Sequence, residues 1–413
     1  MIPRLKPYLG REELGVFARR CGEETVREFE CQFARTFEAA DAVAFPYGRS
    51  AIWAFLHAVG LQGAEVIQPA YTCVVVAHAT VLSGNVPRFV DVSAIDYNMN
   101  LAQVEEAITP RTGAIVATHL FGYPLDLDRL DAVVHAAEKR YGRKIWVIHD
   151  CAHSFGARWQ DRLVCRERDV AVFGLGVSKV VTSIFGGMLT TSDATLAARL
   201  RTWRDAHFRE PSRVKTMRRR LYLAAVFLAF LEPVYGATDW LQRSTPLLDR
   251  WTKAYHLDDQ IRFPPDHVQA MCGVEARVGL AQLAKYDEII RGRRACARHY
   301  DTALADVSGL ALPPIVDGAT YSHYVVRVAS RPHFLSVAQR RGVQLGDLIQ
   351  YSVPDMPAYA RYGGAGRFPV SLMCSRDTIN LPVYAAMTPA RIEKVIAVVR
   401  AGAGEMVAAG APA

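Results

Sequence analysis

Two short stretches hold the residues whose types and spacing can do chemistry. In Trp146-Val147-Ile148-His149-Asp150-Cys151-Ala152-His153-Ser154 an apolar run ends in an acid, and a histidine follows three residues later. In Val172-Phe173-Gly174-Leu175-Gly176-Val177-Ser178-Lys179 a lysine sits on a glycine-rich turn after a second apolar run, with Gly186-Gly187 close behind. A lysine between apolar strands is costly to bury without a partner. Taken singly, Lys179 reads as a surface-loop lysine and Asp150 as a strand-end acid capping a turn. Together and in this order they fit a pyridoxal phosphate site. There the lysine forms the Schiff base, and the aspartate keeps the pyridine nitrogen protonated so that the ring serves as an electron sink.

Both stretches resemble those of the DegT/DnrJ/EryC1/StrS aminotransferases, the sugar aminotransferase branch of the fold type I pyridoxal phosphate enzymes. His149 to Ala157 is similar to that family's acid-plus-Gln/His motif, and Ser178 to Met188 to its Schiff-base segment. The resemblance spans roughly Glu28 to Val399. It implies a ping-pong aminotransferase in which Lys179 is the catalytic residue, Asp150 pairs with the ring nitrogen and His153 touches the ring face or its phenolic oxygen. It also implies an amino-acid donor, often glutamate, and a keto acceptor, typically on a nucleotide-linked sugar of polysaccharide or antibiotic biosynthesis. The expected assembly is a homodimer with its active site at the subunit interface.

Other cofactor contacts follow from the same resemblance. Gly48-Arg49-Ser50 is a glycine turn feeding a helix start, which presents free N–H groups to an anion. Spacing alone reads as an ordinary N-cap, but the family places the cofactor phosphate there, with Ser50 and Arg49 contributing. Cys73 stands where the family often stacks an aromatic on the ring; either Tyr71 rotates in or a thinner contact suffices. Gln260 stands where an asparagine reaches the neighbouring subunit's phosphate. Gly174 replaces a phosphate-binding serine, shifting that load to the Gly48–Ser50 turn and the partner subunit. His323 and Tyr351, the latter on a loop that folds over substrate in the family, are candidate substrate contacts, and a structural role suits them equally. Retention of Lys179 argues against a non-catalytic, regulatory cofactor-binding protein, a reading that the departures at Cys73, Gly174 and Gln260 would otherwise favour.

These residues need a scaffold. Short apolar runs at 42–45, 64–68, 87–92, 114–120, 145–148 and 188–191 alternate with helical spacings. That alternation predicts an α/β fold, a mostly parallel central sheet with helices on both faces. A smaller α+β domain is expected after it. The expected division is an N-terminal arm at 1–24, a large domain at 25–290, a small domain at 291–400 and a frayed tail at 401–413. The arginines at 291, 293 and 294 read as a solvated helix face.

An insertion is expected at about 209–251. Arg213, Lys215, Arg218, Arg219 and Arg220 precede the apolar run Leu221–Leu231. Eleven apolar residues are too few to span a bilayer. The segment either packs at the dimer interface or over the active site, the favoured reading, or lies on an anionic membrane through 213–241. On the membrane reading the acceptor is lipid-linked or amphiphilic.

Composition narrows the class. The 413 residues are 51% hydrophobic, enough for one large core or two domains. The charge of +8 comes with no zinc-finger spacing, no RNP-like motif and no long basic tail, so neither metal nor nucleic acid is expected. Eight scattered cysteines without a CxxC pair, and an N-terminus without an apolar signal region, read as reduced thiols in a cytoplasmic enzyme, membrane-associated if the insertion meets lipid.

Overall fold

The computed structural model describes residues 1–19, 21–244 and 260–408. The end of the expected insertion, 245–251, and the last five residues, 409–413, lie outside the described residues. Seven strands form the central sheet: β1 (Asp41–Phe45), β2 (Glu65–Pro69), β3 (Val86–Val90), β4 (Thr112–Thr118), β5 (Trp146–Asp150), β6 (Val170–Gly174) and β7 (Gly187–Thr191). Their order is β1-β7-β6-β5-β4-β2-β3. All neighbours are parallel except β7, which runs antiparallel to both β1 and β6. Strands covered on both faces need continuous apolar sequence, and every residue of β2, β4 and β7 is buried.

Helices cover both faces. On α1 (Glu23–Thr36) the expected stripe holds: Phe29 and Phe33, then Phe37 at its C-cap, pack with Phe155 and Phe173, and Val26 lies at their edge. On the other face α2 (Gly48–Ala58) buries Ile52, Phe55 and Leu56 against β1, β6 and β7. The crossovers run through α3 (Val74–Leu82), α4 (Leu101–Ala107) and α5 (Leu127–Tyr141). Asn100 and Asp126 cap α4 and α5 by accepting orphan backbone N–H bonds, so these starts follow from local sequence. After β7 come α6 (Ala194–His207), α7 (Arg213–Ala229) and α8 (Glu232–Ser244).

The chain returns through α9 (Gly273–Leu283) and the long α10 (Tyr286–Leu304) into a second, antiparallel sheet, β8 (Leu310–Ala311), β9 (Tyr324–Val328) and β10 (Thr378–Leu381). Around it pack α11 (Arg331–Arg340), α12 (Pro369–Asp377) and α13 (Pro389–Ala408). Tyr71, Tyr97, Phe121 and Tyr123 from the main sheet's loops join this second core, which fuses the two units.

The two chain ends are better held than expected. Ile2 pairs in a bridge with Val343, and buried Glu13 accepts from Gln282 and pairs with Lys285. The tail does not fray at 401. Helix α13 runs to Ala408 because Val395, Val399 and Ala403 are buried and Gly402 lets the helix lie on Phe334.

Candidate active site

The parallel strands end on one edge of the sheet, the place where open α/β sheets hold ligands. Asp150 is the last residue of β5, and β6 ends at Gly174, five residues before Lys179. The loop between them is tightly tied. The Lys179 N–H donates to the Gly176 carbonyl (2.9 Å), the Ser183 N–H to that of Leu175 (2.9 Å), and the Leu175 N–H to that of Gly186 (2.9 Å).

Glycines set the depth of the site. A Cβ on Gly187 would lie 2.3 Å from the Tyr47 carbonyl carbon, so only glycine lets the Tyr47–Gly48 turn rest on β7. A Cβ on Gly174 would sit 3.5 Å from Lys179 Cε and 3.6 Å from Ala152 Cβ, so Lys179 crosses a floor with no side chain of its own.

The electrostatics oppose each other across this floor. Burial pushes the Lys179 amine below its ordinary value, Cys73 and Asp150 pull it back up, and Arg49 lowers it further. Burial raises the Asp150 carboxyl, against a hydrogen bond from the Ala152 N–H (3.1 Å) and the charge of Lys179. A desolvated amine and a desolvated acid therefore feel each other without neutralising each other. That is the donor set that suits an aldehyde carbon at one end and a protonated ring nitrogen at the other.

Two histidines border them. His153 Nδ1 accepts from the Phe121 N–H (3.3 Å), which leaves the proton on Nε2. Its ring stacks on Phe121 (5.8 Å between centroids, 15° between planes) and tilts against His323 (5.0 Å). Burial first, and then the charge of Lys179, hold both imidazoles well below their ordinary values, so they are neutral hydrogen-bonding groups at neutral pH. Phe121 adopts φ +57°, a costly conformation for a bulky residue, and one that clusters at functional sites.

Several of the expected contact residues have partners within the chain. The Tyr71 ring packs near Tyr97 and Phe121, and its hydroxyl bonds Thr378 Oγ1 (3.1 Å). Ser50 is fully buried and its hydroxyl donates to the His267 carbonyl (2.9 Å), so what it can offer a phosphate is its backbone N–H in the first turn of α2. Gln260 is exposed and accepts from Arg262 (2.9 Å). Within the chain, Asp266 accepts from Tyr47 and the His267 carbonyl from Ser50. Arg49 is buried, with its guanidinium carbon 5.5 Å from the Tyr47 ring centroid. The Tyr351 hydroxyl accepts the Val74 N–H (3.1 Å) at the start of α3, beside Cys73. Arg293 is no solvated residue; it is buried and donates to the Tyr321, Ser322 and Val383 carbonyls, behind His323.

One network escaped sequence reasoning altogether. Arg219 of α7 donates to fully buried Glu275 (2.7 Å), to Asp266 (2.7 Å) and to the Tyr47 hydroxyl (3.3 Å). Tyr47 in turn donates to Asp266 (2.7 Å), and Lys215 donates to the Gln269 and Ala270 carbonyls (2.8 Å each). The partners lie up to 219 positions apart, so no local signal joins them. The network fixes the turn that precedes Gly48. Removing one charge of such a set strands the others. Arg219→Met is therefore expected to cost about 3–5 kcal/mol in urea unfolding, with much of the loss restored when Glu275→Met is added.

The insertion is a bent pair of helices. Among the described residues no single helix is long and apolar enough to cross a membrane, and α7 and α8 meet at 113°. The inner face of α8 reaches the second sheet's unit, where the Tyr235 hydroxyl donates to Gln344 (2.6 Å) and Gln344 donates to Asp239 (2.9 Å).

Comparison with known proteins agrees with this geometry. The model of the DegT/DnrJ/EryC1/StrS aminotransferase family matches residues 17–226 and 266–400. The chain is 30% identical over 383 residues to the erythromycin biosynthesis sensory transduction protein EryC1 of Saccharopolyspora erythraea, covering 91% of this chain and 89% of that one. It is 30% identical over 387 residues to a dTDP-3-amino-3,4,6-trideoxy-alpha-D-glucose transaminase of Micromonospora megalomicea, with the same coverage. The solved aminotransferase TlmJ of Streptoalloteichus hindustanus superposes with a TM-score of 0.76 at 25% identity, covering 98% of this chain and all of that one. A lysine and an acid delivered by neighbouring strands, on this sheet and with these relatives, make the chain a member of the DegT/DnrJ/EryC1/StrS family of pyridoxal phosphate-dependent aminotransferases.

Proposed function

We propose that this enzyme transfers an amino group from an amino acid, glutamate first among donors, to a keto group on a nucleotide-linked sugar, and that it does so as a homodimer. The observation that carries the reading is the convergence of Lys179 and Asp150 at the ends of β6 and β5. The acceptor class is supported by the name of the transaminase relative, which acts on a dTDP sugar.

Pyridoxal phosphate, bound through Lys179, supplies an electron sink that stabilises negative charge on the donor's α-carbon. The chain does the rest. The Asp150 carboxylate holds a proton on the ring nitrogen. Because desolvation favours the neutral amine, Lys179 Nζ, once freed, would take the donor's α-proton and return it to the cofactor carbon that had carried the aldehyde, two bonds away across the shared nitrogen. His153, whose Nδ1 accepts from the Phe121 N–H, keeps its Nε2–H as a neutral donor near the Lys179 charge. Arg49 and the first N–H groups of α2 are the phosphate's partners, with the partner subunit completing the cradle.

The test is a half-reaction. Purified holoenzyme given glutamate should release 2-oxoglutarate, and the aminated enzyme should then be reset by a keto-sugar nucleotide. Absence of oxo-acid release from every amino acid tried would refute transamination. Release with no reset by any sugar nucleotide would refute the acceptor. A lipid-linked carbonyl acceptor is the second reading, favoured by the exposed apolar face of α7.

A further inference from the structure

Helix α7 has two faces of opposite fate. Lys215, Arg219, Leu223 and Val226 are buried against the enzyme's own body. On the outer face Val214, Met217, Leu221, Leu228 and, just past the helix end, Leu231 are exposed by 40–63%, with small Ala224 and Ala225 between. The spacing of three, four, seven and three residues puts them in one stripe. A 17-residue helix makes that stripe about 25 Å long. Val234 and Trp240 of α8 are exposed as well. An apolar stripe of this length on a protein surface marks a partner.

The charges say which partner. Between Glu210 and Glu232 the sequence holds five basic residues and no acid. Arg213 and Arg218 are exposed at the flanks of the stripe, and among the described residues neither forms an ion pair. A second copy of the helix is a poor match. Parallel pairing would set Arg218 and Arg220 against their own copies, and antiparallel pairing would set them opposite Ala225 and Phe227, which carry no charge. A membrane surface rich in anionic headgroups answers both features: acyl chains take the stripe and phosphates take the arginines. The bend between α7 and α8 suits a helix lying in the interface. The family match follows α7 as far as Val226 and resumes at 266, so α8 lies outside it.

We propose that the outer face of α7, continued by Trp240 of α8, docks the enzyme peripherally on an anionic phospholipid bilayer. The inference does not depend on the acceptor or on catalysis.

The experiment is sedimentation of full-length holoenzyme with vesicles of phosphatidylcholine alone or mixed with phosphatidylglycerol. Binding should favour the anionic vesicles by about tenfold or more and weaken as salt rises from about 0.1 to about 0.5 M. Leu221→Asp with Leu228→Asp, and separately Arg213→Glu with Arg218→Glu, should each lower anionic binding by about tenfold or more. Each variant should keep the cofactor's visible absorbance and the wild-type oligomeric mass in solution. These residues stand outside the site, so glutamate turnover serves as a second check on folding. Equal binding to both vesicle types, no binding, or binding unchanged in the variants overturns the proposal. So does a fall in oligomeric mass in the leucine variant, which would make the stripe a contact between copies.

Discussion

Replacing Lys179 by alanine should abolish amino transfer, a loss of about ten-thousandfold or more, and remove the visible absorbance of the purified enzyme. The size of the loss follows from two roles removed at once: covalent attachment of the cofactor and proton transfer at carbon, the latter alone worth about 10²–10⁴-fold. The structure adds a control that separates lost chemistry from lost folding. Burial lowers the Lys179 pKa from 10.5, so the fold disfavours the charged amine. A lysine whose folded value is depressed destabilises the native state below that value, and the cost vanishes as pH rises toward 10.5. Cofactor-free Lys179→Ala should thus be at least as stable as cofactor-free wild type at pH 7, and the difference should close at alkaline pH. Urea unfolding across that range measures it. Full activity in the alanine variant would remove the basis of the proposed function. A variant that is inactive and also unfolded would leave the lysine's role to be read from the conservative Lys179→Arg, which keeps the charge but cannot act as a base at neutral pH.

Much of this was legible in the chain because local rules suffice for it. Asp150 ends an apolar strand and Lys179 follows another. Strand period and short loops then place both on one sheet edge, whatever the rest of the protein does. The capping residues Asn100 and Asp126 likewise announce their helices. What failed was direction and distance. Ser50 sits at the expected helix start, but a loop 217 positions away takes its hydroxyl proton. Arg293 reads as one of three basic residues on a helix, yet the carbonyls that bury it come from 321, 322 and 383. Alanines and glycines beyond 400 look too small to hold a helix end. Gly402 succeeds because its smallness fits the Phe334 ring, a partner 68 residues away that composition does not name. Arg219 is the sharpest case, since its meaning as an anchor of the Tyr47 turn exists only once Glu275 and Asp266 have arrived.

The Asp150→Asn variant tests the other half of the site and should separate function from stability in opposite directions. The carboxylate's task is to hold a proton on the cofactor's ring nitrogen, and an amide carries no charge with which to do so. Loss of a single preorganised electrostatic partner of this kind lowers turnover by about 10²–10³-fold. In the cofactor-free protein the same carboxylate is a liability. Desolvation raises its pKa above 3.8, and neither the Ala152 N–H nor Lys179 fully offsets that. An acid with a raised folded pKa binds its proton more tightly in the native state, so stability is greatest below the unfolded value and falls as pH rises through the folded one. Asparagine removes that fall. The variant without cofactor should therefore unfold at a higher urea concentration than wild type at pH 7 and match it near pH 3. Cofactor should narrow the gap, because it brings the positive charge that wild-type Asp150 lacks. If the asparagine variant were less stable at pH 7 without cofactor, Asp150 would already be fully compensated by its neighbours. Its burial would then be ordinary structure rather than a charge held in readiness for the ring.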